Sequence, residues 1–191
     1  MASVVISGDS SGSITLSAPS AAGTTTQTLV ATSGTLAPLV AGTAVSASGT
    51  SIDFTSIPSW VKRITVMLNG VSLSSTSILL FQIGTSGGIQ NSGYSSVAQA
   101  SSTAVLQATG FGVLTSSQST ASYSGSVVIT LLDSANGTWT QTGTVATNTG
   151  SVAAWYSSGS KTLSGTLDRI RITSVNGTDT FDAGSINIMY E

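Results

Sequence analysis

The stretch SIPSWVKRITVMLNG, residues 56–70, decides how the chain is read. Side chains of a strand alternate between two faces. Trp60, Ile64, Val66 and Leu68 therefore share one side, with Lys62 among them near the start, and Val61, Arg63, Thr65, Met67 and Asn69 share the other. The first set reads as a core face with Trp60 as its large filler and Lys62 snorkelling at the edge. Pro58 stands just before the strand, where its missing N–H costs no ladder bond. Asn69–Gly70 tolerates the positive φ of a tight hairpin turn and reads as the exit. Lys62 and Arg63 are conspicuous in a chain with only five Lys and Arg, but the alternation makes this stretch a core strand rather than a binding site. Arg63 and Arg169 are candidates for pairing with Asp168 or another carboxylate, across strands or subunits.

Outward from this strand the same chemistry recurs. Ser, Thr, Gly and Val dominate, whereas Glu and Lys together are only Lys62, Lys161 and Glu191. That balance favours strands and turns over helices. Strands are expected at Ser51–Thr55, Val61–Leu68, Ile78–Gly84, Thr103–Leu106, Ser126–Asp133, Thr138–Thr147, Ser151–Tyr156, Lys161–Leu163, Leu167–Val175 and Ser185–Tyr190. Their spacing suits a sandwich or jelly roll. Asn136–Gly137 and Asn176–Gly177 supply further turns. Thr85 to Gly125 is a long, soft stretch anchored only by Tyr94, Phe111 and Tyr123, and is expected to carry the exposed loops. VKRITVMLNG and LDRIRITSVNG look alike, which a repeated sandwich strand explains; two copies are too few for a claim of duplication.

Residues 1–44 differ. Short strand candidates, SVVIS, SITLSAP and TQTLVAT, are separated by Gly and Ser, with Pro19 and Pro38 as breakers, no aromatic residue and one charge, Asp9. Burying Ala and Thr returns little against the entropy of ordering them. The expected organisation is an extended N-terminal arm over 1–44, for assembly and anchoring, and a β-sandwich over 45–191. The expected fold class is all-β, an antiparallel β-sandwich or jelly roll with that arm.

Charged residues make up 6% of the chain, against roughly a quarter in ordinary globular proteins. A surface of hydroxyls with a net charge of -2 has little self-repulsion and suits a component packed into an assembly. The absence of cysteine and histidine removes disulfides, a thiolate nucleophile, zinc–cysteine sites and the commonest general base. Five dispersed cations cannot neutralise a run of phosphates, so nucleic acid is not expected as a partner. The opening MASVVISGDSSG has no basic n-region, so no signal peptide is expected there. The densest apolar runs, SILLFQIG and VAAWY, fall short of the roughly 18 residues that span a bilayer, and membrane insertion is not expected.

Asp9, Asp53, Asp133, Asp168, Asp179, Asp182 and Glu191 are dispersed, and no other catalytic residue type stands beside them. Two-carboxylate glycosidase chemistry needs a pair about 5–10 Å apart, so no catalytic residue is assigned and the chain is expected not to be an enzyme. A serine nucleophile would need Lys62 or Lys161 as its base, and nothing supports one. The loop NGTDTFDAG gathers Asn176, Asp179 and Asp182, hard oxygen ligands for Ca²⁺. Its spacing is not that of an EF-hand, and an acidic turn explains it; no metal or cofactor is assigned. The sequons at Asn136 and Asn176 coincide with turns. Trp139, Trp155 and Tyr156, lying among Ser, Thr and Gly, are the candidate glycan contacts. Core packing is their competing reading, favoured because aromatics are scarce and a sandwich needs them.

Three stretches resemble structural proteins of tailed bacteriophages. SGDSSGSITLSAPSAAGTTTQTLVATSGTL (7–36) is similar to a Gly/Ser/Thr-rich segment near the start of many tail-fibre and minor tail proteins. SIDFTSIPSWVKRITVMLNGVS (51–72) resembles the opening of a small β-domain in the same group, and TFDAGSINIMYE (180–191) its ending. The resemblance implies a virion component in several copies, often a homotrimer, contacting other virion proteins through its arm, and brings no catalytic residues. A tail-fibre, receptor-binding or adaptor role is expected, with a host surface glycan as a potential ligand. The alternatives are a capsid decoration or head-fibre protein and, least favoured, a polysaccharide-degrading tailspike. The chain is short and lacks collagen-like repeats and heptads, which keeps the head location open.

Overall fold

The computed structural model describes residues 3–7, 11, 13–17, 38–147, 149 and 153–191. Two compact units divide the chain, Met1–Leu36 and Ala37–Glu191. In the first, β1 (Ser3–Ser7) and β2 (Ser13–Ser17) form an antiparallel hairpin running from Ser3↔Ser17 to Ser7↔Ser13. The neighbours Val5 and Ile6 point to opposite faces of a strand, and both are exposed. TQTLVAT, the third strand expected in this region, lies outside the described residues, as does the middle of the expected arm.

The second unit holds β3 (Val40–Ala41), β4 (Val45–Ser46), β5 (Ser51–Phe54), β6 (Arg63–Leu73), β7 (Leu79–Thr85), β8 (Gly88–Ile89), β9 (Ser95–Ala100), β10 (Thr103–Gln107), β11 (Phe111–Gly112), β12 (Tyr123–Asp133), β13 (Thr138–Thr147), β14 (Ala153–Thr162), β15 (Arg169–Ser174) and β16 (Phe181–Tyr190). The larger sheet runs β10-β9-β14-β13-β12-β6-β16-β3, with β4 also on β16. The smaller runs β11-β7-β15-β5, with β8 also on β7. Every pairing is antiparallel, and the two sheets pack together as a β-sandwich. There is no helix among the described residues, and so none able to cross a membrane.

One face of each sheet supplies the core: Ile64, Val66, Leu68, Val127, Ile129, Trp139, Val145 and Trp155 from the larger, and Phe81, Ile83, Ile170 and Ile172 from the smaller. The alternation seen in residues 64–68 is therefore a core face. Tyr94, Phe111 and Tyr123 are buried too, the first two meeting edge to face at 4.9 Å.

Several expectations are corrected. Trp60 is no core filler: it is 39% exposed, beside the Tyr190 ring at 5.9 Å. The Val61 N–H donates to the Pro58 carbonyl at 3.1 Å, closing a turn, so the alternation does not reach back to residue 60 and Val61 enters the core. Asn69–Gly70 is not a turn. β6 runs straight through it as a bulge: Leu68 pairs with Gly125 and Val71 with Tyr123, leaving two residues opposite one. Residues 85–125 hold the expected strand at Thr103–Leu106 as β10, and in addition β8, β9 and β11, which were not expected. The expected strands on either side of Ser157 are one, β14. Finally, Val40–Ala41 pairs with Met189 and Tyr190, and the Gly42 N–H donates to the Ile188 carbonyl at 2.8 Å. The open side of β16 thus recruits residues that were expected in the arm, and the second compact unit begins at Ala37.

Candidate functional site

Because strand faces alternate, the core positions of the larger sheet fix which side chains look outward. Trp139, Gln141, Val145, Trp155 and Ser157 are buried, while Thr142, Thr144, Tyr156 and Ser158 between them are exposed. Cross-strand register lines the outward residues into rows. One runs Leu106, Val97, Ser158, Thr142, Val128, Thr65, Met189. The next runs Gln99, Tyr156, Thr144, Ser126, Met67, Asn187. A third runs Ser160, Thr140, Thr130, Arg63, and there Arg63 pairs with Glu191 at the rim. The first two rows hold hydroxyls, amides and apolar groups and no charged side chain. Two shallow depressions indent this face. One, of about 330 Å³, lies between Val128, Thr144 and Tyr156; the other, of about 450 Å³, lies between Val97, Leu106 and Ser158.

The three aromatic candidates do not form one platform. Trp139 and Trp155 are 3% and 6% exposed, whereas Tyr156 is 64% exposed. Trp155 and Tyr156 are consecutive in β14, so they must face opposite ways. The Trp155 Nε1–H donates to Thr115 Oγ1 at 2.9 Å, and its ring meets Tyr123 edge-on at 5.9 Å. Trp139 does border a cleft of about 340 Å³ with Pro58, Lys62, Leu131 and Leu163 at one end of the sandwich. Only Tyr156 offers an open ring, flanked by Gln99 and Thr144. Leu106, 81% exposed on the same face, is a surface feature that the sequence reading missed.

The chain matches no family model, no curated protein and no solved structure.

The carboxylates among the described residues make local bonds. Asp53 receives Arg171 through two bonds of 2.7 Å, and that bidentate acceptor raises the guanidinium pKa above its ordinary value. Asp168 accepts from Arg169 at 2.6 and 2.9 Å. Only the Arg171–Asp53 pair joins neighbouring strands; Arg169 does take Asp168, but as its sequence neighbour rather than across strands, and Arg63 takes Glu191. Asp133 caps its turn, and the bonds from the Asn136 side chain and the Ala135 N–H hold its carboxyl below the usual range. In the stretch 176–184, which turns into β16 at Phe181, Asn176 donates to Asp179 at 2.6 Å while its own Oδ1 accepts the N–H groups of Thr178 and Asp179. Asp182 accepts from Ser72. The oxygens face these donors rather than one another, as an acidic turn requires. No group of three acidic side chains placed to hold a metal ion occurs among the described residues. What this face can do is adsorb: it presents a broad, neutral surface rich in hydrogen-bonding groups to a partner of similar polarity.

Proposed function

We propose that the chain is a non-enzymatic structural protein of a tailed-phage virion, serving as a tail-fibre, receptor-binding or adaptor component. The observation that carries this reading is the outer face of the larger sheet, where rows of hydroxyl, amide and apolar side chains run across seven strands without a charge. Such a surface has little to repel a neutral partner and little to keep free copies apart. The likeness of residues 7–36, 51–72 and 180–191 to phage structural proteins supports the same role. In this reading the N-terminal segment contacts other virion proteins, the chain is a homotrimer, and the sandwich turns its neutral face to neighbouring virion proteins or to a host surface glycan. The exposure of both Val5 and Ile6 fits a hairpin that another chain covers.

Particles assembled without the chain test the proposal. Loss of adsorption with heads of normal heat resistance supports the tail role. Normal adsorption with fragile heads moves the chain to capsid decoration. Particles unchanged in both respects, and wild-type particles that lack the chain, defeat the virion reading.

A further inference from the structure

A sheet edge presents unpaired N–H and C=O groups, and proteins protect such edges with short strands, charges, prolines or bulges. Three of the four edges of this sandwich carry such protection. The β16 side of the larger sheet ends in the two-residue pieces β3 and β4, and the β7 side of the smaller in the two-residue pieces β11 and β8. β5 carries Asp53, clamped by Arg171. The fourth edge, β10, differs. It is five residues long, TAVLQ, with no proline, charge or register shift. Its hairpin partner β9 is uncharged as well. Among the described residues no strand pairs with its outer side. Ser101, at φ 50°, turns the chain tightly from β9 to β10, so the connection leaves that side open.

We propose that β10 docks a second copy of this chain, edge to edge and antiparallel about a two-fold axis, making one continuous sheet from two. The open backbone groups call for a strand as partner, and the neutrality of the β9–β10 hairpin lets two identical copies meet without like-charge repulsion. With Val105 at the axis, Leu106 stands opposite the partner's Ala104, large against small. This extends the apolar pair that Leu106 makes with Val97 and covers the most exposed large hydrophobic side chain among the described residues. The interface is isologous and closes on itself. If the N-terminal segment also assembles the chain, pairing at β10 doubles that assembly. The inference stands apart from the virion reading.

Sedimentation of the full-length chain over a concentration series tests it, with hydrogen exchange of residues 103–107 followed in parallel. Mass should rise toward twice that of the smaller species as exchange at β10 slows. Leu106→Lys and Ala104→Lys, both at exposed positions, should weaken the doubling at least tenfold and restore fast exchange while leaving the circular dichroism spectrum unchanged. A single mass at every concentration, a doubling that both variants retain, or exchange at β10 that ignores concentration would each overturn the proposal.

Discussion

Gly70 of β6 and Gly184 of β16 meet at a double bulge where only one of them is crowded. A Cβ on Gly184 would lie 2.5 Å from the Gly70 carbonyl carbon and oxygen, whereas a Cβ on Gly70 would meet nothing within 4 Å. Both have positive φ, 93° and 61°. Gly70 is therefore needed for its dihedral angle, Gly184 for close approach as well. Gly70→Ala should cost about 1–2 kcal/mol, the ordinary penalty of a left-handed residue. Gly184→Ala should cost clearly more, about 3 kcal/mol or above, because backbone must shift where β16 pairs with β6. Urea unfolding of the two variants gives the comparison, and equal losses would contradict it.

The opposed faces of β14 make a second test. Trp155→Ala empties a buried site and leaves Thr115 without its donor, so a loss of about 3–5 kcal/mol is expected. Tyr156→Ala, one residue on, should change stability by less than about 0.5 kcal/mol. If the neutral face binds glycan, Tyr156→Ala weakens that binding while Trp155→Phe leaves it intact, as titration of a neutral polysaccharide into each variant would read.

Tyr94 gives the fold an alkaline limit. Its hydroxyl accepts the Ile83 N–H and donates to the Gln90 carbonyl, each at 2.8 Å, and burial pushes its pKa up to about 12 from 10.0. With the folded value above the unfolded one, the unfolded chain gives up this proton first as pH rises. The contribution is complete below pH 10 and is lost between about 10 and 12, on the order of 2–3 kcal/mol. Tyr94→Phe should lower stability at pH 7 by about 1–3 kcal/mol, by stranding the buried Ile83 N–H, and should flatten the decline above pH 10. Denaturation midpoints at pH 7, 10 and 11.5 check both effects.

The hairpin Ser3–Ser17 should behave differently free and assembled. A two-stranded hairpin is marginal by itself, and Val5 and Ile6 are open on opposite faces. Amides of residues 3–7 and 13–17 are expected to exchange quickly in the isolated chain and slowly in the assembled form. Full protection in a monomer would contradict assembly through this segment.

Strong alternation was readable wherever bulky side chains marked it, as with Ile64, Val66 and Leu68. β9 was hidden because SSVAQA has little intrinsic strand preference and is held by its pairing with β14 and β10. Asn69–Gly70 misled because a bulge and a hairpin turn demand the same positive φ, and local preference does not say whether the chain then reverses. Trp60 misled because alternation holds only inside a strand, and the turn at Pro58–Val61 breaks it. The separation of Trp155 from Tyr156 was legible, since neighbours in any strand part to opposite faces. The rows on the outer face were not, because they exist only once β10, β9, β14, β13, β12, β6 and β16 are in register. The unprotected edge was hidden for the same reason: nothing in TAVLQ says that it comes last in its sheet.

A cryo-electron-microscopy reconstruction of the purified virion would show whether the chain is, as proposed, a built part of a phage particle. Several symmetry-related copies of the two-sheet sandwich are expected on the tail or the head, with the two charge-free rows of the larger sheet turned to a neighbouring protein or to the particle's outer surface. A complete reconstruction with every exterior density assigned to other chains, supported by the absence of this chain's peptides from washed particles, would contradict it.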